Sequence, residues 1–203
     1  MKKFWCVLVT LLLLCGNALA AGMYSFPAYD MEMECADDYV ICITRDTKSV
    51  DEFQIEGTPF DKKGMKEALE QTVEKFQGPD SPDTIAGLIV YHNNNFYLIE
   101  THVYETDVSK EIWDISVMTE QDKQAIEASG KFSIYEAVSE KQSNLWLLGV
   151  EEGMCIYGMT FNNGKMIAYT FFPQGKMELE DNEAFVKEFL NGVWFTEKRT
   201  KGA

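Results

Sequence analysis

Hydrophobic and polar positions are patterned most clearly over residues 154–172, which read M-C-I-Y-G-M-T-F-N-N-G-K-M-I-A-Y-T-F-F. Two runs rich in aromatic and β-favouring residues flank Asn162-Asn163-Gly164, which predicts a β-hairpin. A three-residue loop, a type I turn closed by glycine in the left-handed region, sets Phe161 opposite Lys165, Met159 opposite Ile167, Tyr157 opposite Tyr169 and Cys155 opposite Phe171. One face then carries Cys155, Tyr157, Met159, Phe161, Ile167, Tyr169 and Phe171. The other carries Ile156, Gly158, Thr160, Met166, Ala168 and Thr170. A two-residue Asn163-Gly164 turn would slip the pairing by one and mix these sets, so the longer loop is the expectation. Only Lys165 is charged on either face, whereas a strand pair with one wet face alternates apolar and polar. The pattern predicts a sheet covered by helices on both sides.

Elsewhere the same patterns place the other elements. Tyr29, Met31, Met33 and Cys35 alternate with Asp30, Glu32 and Glu34, a strand with one wet face expected near an edge. Ala36-Asp37-Asp38 turns the chain, Tyr39 to Thr44 returns, and Arg45 to Gly57 is polar and irregular. Thr58 is an N-cap with Pro59 at the first helical position, and Asp61 to Phe76 continues as a helix with Met65, Ala68, Leu69, Thr72, Val73 and Phe76 on one stripe. Gly78 to Pro82 is a loop. Thr84–Tyr91 and Phe96–Tyr104 form a second hairpin around Asn93-Asn94-Asn95, while Asp107–Trp113 fits no single pattern. Thr119 opens a capping box with Asp122, starting a short helix that Gly130 stops. Strands follow at Phe132–Val138 and Leu145–Val150, the latter leading through Glu151-Glu152-Gly153 into the first hairpin. A last helix spans about Asp181 to Leu190, stops at Gly192, and is followed by the apolar stub Val193-Trp194-Phe195. Hairpins broken by about three helices predict an α+β fold, an antiparallel sheet with helices packed on both faces, in one domain over residues 21–203.

The first twenty residues change where this domain is expected to work. Met1-Lys2-Lys3, an apolar run from Phe4 to Cys15, and Ala18-Leu19-Ala20 make a secretory signal peptide, too short to span a membrane. Lipoprotein processing at Cys15 is disfavoured because Leu14 stands where a small residue is needed. The expected location is exported, periplasmic or extracellular. The net charge of −15 becomes two units more negative once Lys2 and Lys3 are removed, which excludes nucleic acid and anionic lipid as partners. No second apolar span occurs, so no integral membrane segment is expected in the mature chain. Of the cysteines it keeps, Cys35 and Cys42 flank a turn and could form a disulfide across a hairpin; the alternative is that they and Cys155 are small buried apolar residues.

Several pieces of wording resemble the PsbP-like superfamily: Phe26-Pro27-Ala28-Tyr29 before the first strand, Thr44-Arg45-Asp46 after the second, Tyr157 to Lys165 with its Asn-Asn-Gly turn, and the terminal helix running into Val193-Trp194-Phe195. The resemblance spans most of the mature chain and implies an α/β/α sandwich of a bacterial secreted branch. It also implies a non-catalytic protein that binds other proteins, and it carries over no functional residue.

Candidate chemistry is sparse. His92 is expected in solvent beside the Asn-rich turn. Glu100 and His102 share a strand face and could act as an acid–base pair, although a partly exposed strand surface is the simpler reading. Glu178, Glu180, Asp181 and Glu183 suit a helix N-terminus and lack the loop pattern of a calcium site, so no metal and no cofactor are expected. Tyr157, Met159, Tyr169 and Phe171 could line a ligand or partner surface, or be plain core under a helix. These observations add up to a secreted non-enzymatic binding or accessory module of the cell envelope, its partner another envelope or secreted protein. The rivals are a small extracytoplasmic hydrolase using Glu100 and His102, and a small-ligand carrier.

Overall fold

The computed structural model describes residues 22–37, 39–78, 83–105, 119–139, 141–151, 154–162, 164–174 and 178–196. The leader with Cys15, residues 79–82 of the expected loop, Asp107–Trp113, Glu152-Gly153 and Asn163 lie outside them.

The strands are β1 (Gly22–Phe26), β2 (Met31–Cys35), β3 (Tyr39–Thr44), β4 (Thr84–His92), β5 (Asn95–Glu105), β6 (Phe132–Val138), β7 (Ser143–Glu151), β8 (Cys155–Asn162), β9 (Lys165–Pro173) and β10 (Val193–Phe195). The helices are α1 (Lys63–Gln77), α2 (Glu120–Ala128) and α3 (Leu179–Asn191). Strands β3 to β9 form a seven-stranded antiparallel sheet ordered β3-β4-β5-β9-β8-β7-β6. A second sheet holds β1-β2-β10, so β2 is a central strand rather than an edge, because β10 returns from the end of the chain to fill its open side.

Alternation along the strands sorts the interior into two clusters. Val40, Leu88, Val90 and Ile99 join Met31 and Met33 of the small sheet and Phe185, Val186, Phe189 and Leu190 of α3. Ile41, Ile43 and Ile89, their alternate neighbours, join Leu69, Val73 and Phe76 of α1. Helix α1 lies so close to β4 that a Cβ on Gly87 would meet the Phe76 ring at 2.7 Å. Its N-terminus departs from the expected continuous helix. Thr58 caps a single 3-10 turn, Pro59–Asp61, and the chain kinks at Lys62 before α1 begins. The capping box of α2 forms as expected, the Thr119 hydroxyl accepting from the Asp122 N–H and the Asp122 carboxylate accepting from the Thr119 N–H.

The hairpin at β8–β9 has the other register. Asn162 pairs with Lys165, Met159 with Ala168, Gly158 with Tyr169 and Ile156 with Phe171, so the turn is the two-residue Asn163-Gly164 form, with Gly164 at φ +76°. Packing against α3 explains the choice. Gly158 leaves the space that Leu190 enters, a Cβ there lying 3.2 Å from Leu190 Cδ1, and the large Tyr169 stands beside it. Mixed large and small residues on one face interdigitate with a helix better than a uniformly bulky face. The Asn93-Asn94 turn of β4–β5 is also two residues long, both with positive φ.

Candidate functional site

The register separates the four residues grouped as a ligand or partner surface. Tyr169 and Phe171 point inward, fully buried against Phe189, with ring centroids 5.1 and 5.3 Å from it. The Tyr169 hydroxyl donates to Met31 Sδ at 3.3 Å, and burial raises its pKa. These two are core. Tyr157 and Met159 point the opposite way and are half-buried, together with Phe161, Met166 and Phe172. None of these five belongs to either hydrophobic cluster. Tyr157 is fixed by lying over Gly149, where a Cβ would meet its ring at 2.6 Å, and by an edge contact with Phe132 at 5.8 Å. Phe161 lies on the face expected for it, whereas Met166 and Phe172 of β9 join this face only through the one-residue slip in register.

Glu100 and His102 lie on the same outward side of β5, and they are less exposed than expected. Glu100 is 5% exposed, and its carboxylate is held by the Lys75 ammonium of α1. His102 Nε2 is 3.6 Å from Glu100 Oε2, outside hydrogen-bond reach, and Nδ1 lies 3.0 Å from the Thr84 hydroxyl. Tyr104 stacks on the imidazole with centroids 6.0 Å apart. Burial lowers the His102 pKa, and the neighbouring Lys75 charge adds to that, while the Glu100 carboxylate opposes it. The ring is therefore neutral near pH 7. An acid–base pair needs a nitrogen free to take a proton and a carboxylate free to orient it. Here Thr84 engages Nδ1, Nε2 lies beyond hydrogen-bond reach of Glu100, and the carboxylate is committed to Lys75, so the Lys75–Glu100 pair ties α1 to β5. Lys75 was invisible in the sequence because it stands 25 residues from Glu100, on the polar side of a helix.

His92 is not in open solvent. Its Nδ1 is 2.6 Å from Asp37 Oδ1, its Nε2 is 2.8 Å from Asn93 Nδ2, and its ring lies 4.8 Å from Phe185. Asp37 also accepts a weak bond from Cys35 Sγ at 3.6 Å. The Cys35–Cys42 disulfide is not formed: β2 and β3 belong to different sheets instead of one hairpin, and Cys35, Cys42 and Cys155 are free thiols. Burial pushes both Cys35 and Cys42 up to about 12, so neither is a thiolate at neutral pH. Among the described residues no group of three or more His, Cys, Asp or Glu could hold a metal ion. No helix among them is long and apolar enough to cross a membrane.

No protein-family model matches the chain, and none of the curated proteins matches it. Among solved structures, it is similar to cyanobacterial PsbP (CyanoP) from Synechocystis sp. PCC 6803, over 89% of this chain and 95% of that one, at 11% identity and a TM-score of 0.46. A likeness of that size assigns neither family nor function.

Proposed function

We propose that this chain is an exported, single-domain, non-enzymatic binding or accessory module of the cell envelope, layered as α1, the seven-stranded sheet and α3. It takes another envelope or secreted protein on the outer face of β8 and β9. One observation carries the reading: Tyr157, Met159, Phe161 and Met166 form a half-exposed aromatic and methionine face outside both cores. Side chains of this kind are enriched where proteins meet, because they bury large apolar areas and methionine adapts its shape to the partner. The engaged state of His102 and Glu100 favours binding over hydrolysis.

The test is co-purification of the C-terminally tagged chain from its own host, in parallel with Met159→Glu/Phe161→Glu. A stoichiometric protein partner is expected with the native chain and at least tenfold less of it with the variant, roughly the loss of one interfacial anchor. Both chains should melt alike. Equal recovery from both would discard this face, and a chain that comes down alone would discard the binding reading.

A further inference from the structure

We propose that the free edge of β6 is the interface on which a second copy of this chain pairs, antiparallel and about a two-fold axis through Ile134. The inference concerns a different surface from the β8–β9 face, and either can fail alone.

Strand β6 is one margin of the seven-stranded sheet. At its turn Ser139 N donates to Gln142 O, so bonding to β7 falls on the odd-numbered residues Ser133, Tyr135 and Ala137. Phe132, Ile134, Glu136 and Val138 therefore direct their N–H and C=O groups away from the sheet. The outward N–H of Val138 is already taken, by Asn191 Oδ1 of α3 at 3.0 Å. For Phe132, Ile134 and Glu136 no backbone partner on that side is present among the described residues. Monomeric proteins guard such margins with charged side chains, Lys above all, with Pro or with a bulge. This strand reads FSIYEAV, has no Pro or Lys, carries the single charge of Glu136, and pairs with β7 without a register shift.

These constraints select one register. Placing Ile134 opposite its own copy sets Phe132 opposite Glu136 in both directions. It uses both backbone groups of all three free residues and leaves the Val138 N–H with Asn191. The same register brings Lys131 of each copy to the Ala137–Val138 end of the other. There a cleft of 300 Å³ is lined by Glu34, Asp37 and Glu188, with no Lys or Arg in its wall. Charge complementarity thus occurs twice across the axis. The mature chain's net charge, two units more negative than −15, opposes association, and that repulsion is screened over a length of about 8 Å at physiological salt.

Sedimentation velocity on the mature chain, from micromolar to sub-millimolar concentration, tests this. A reversible monomer–dimer equilibrium is expected. Ile134→Pro removes only an outward N–H and should raise the dimer dissociation constant at least about tenfold, with an unchanged far-ultraviolet spectrum. Should that variant misfold, the charge swap decides, since Lys131 precedes the strand and Glu188 lies on α3, so neither substitution alters β6 itself. Lys131→Glu and Glu188→Lys should each weaken the dimer about fivefold, and together should restore it. A monomer at every concentration overturns the proposal. A dimer indifferent to Ile134→Pro and to the charge swap overturns it equally, and assigns self-association to another surface.

Discussion

His102 shows how a side chain that looks catalytic in a sequence becomes structural when its neighbours are counted. Thr84 holds one nitrogen, and Lys75 neutralises the carboxylate that would have favoured its charged form. The sequence displayed Glu100 and His102 as a same-face pair, which the structure bears out. Which of the two effects governs the imidazole depends on its burial, and no local pattern reports that. Because its folded pKa is depressed, the unfolded chain takes up a proton as pH falls below the ordinary value of 6.5 while the folded chain resists it. Stability should thus rise with pH through the window just under 6.5 and stay flat above it, as far as this group is concerned. Urea midpoints measured along a pH series should keep a constant offset between the native chain and His102→Gln above that window, and the offset should change below it, the native chain losing more. Parallel profiles would show that the ring is not held neutral.

At the scale of elements, most boundaries were legible and one register was not. Capping chemistry at Thr119, the stripe from Met65 to Phe76 and the Asn-rich turn after His92 are local signals, and each element formed within a few residues of where they put it. Asn162-Asn163-Gly164 contains two turns at once, and the choice between them belongs to Leu190, which needs Gly158 on its own side. The edge assignment of β2 failed for a similar reason, since its second neighbour arrives only at Val193. Glycines at such contacts mark what a sequence cannot show. Gly87 is at the centre of β4, where glycine weakens a strand, yet its missing Cβ is the space occupied by Phe76. Gly87→Ala should cost about 1–3 kcal/mol, the usual range for overpacking a core. Adding Phe76→Leu should recover part of that loss. Guanidinium denaturation of the three variants checks it, and a double variant no better than the sum of the singles would place the strain elsewhere.

Across the whole molecule the two sheets share a core and are joined by side-chain amides. Met31, Met33, Val193 and Phe195 of the small sheet belong to the same cluster as Leu88, Ile99, Tyr169 and Phe171 of the large one. Gln142 exchanges two hydrogen bonds with the Phe195 backbone, at 2.8 and 3.1 Å, and Asn144 donates to the Val193 carbonyl at 3.2 Å. The chain passes from α3 into β10 through Gly192, whose carbonyl accepts from the Glu34 N–H at 2.8 Å. Its φ of −78° suits any residue, so the helix-stop role expected of it is not what demands glycine. The demand is distance: a Cβ there would sit 2.1 Å from the Glu34 carbonyl oxygen, which is backbone within a central strand and cannot swing aside. Gly192→Ala must therefore push α3 away from β2, opening the shared core instead of loosening one corner. We expect a loss above about 3 kcal/mol, at the severe end for a point substitution. Far-ultraviolet circular dichroism and tryptophan fluorescence should still follow one coincident transition, since Trp146 and Trp194 report on different sheets of a common core. Two separated transitions would mean that the small sheet unfolds alone, and that the body on which both proposed surfaces depend is two bodies.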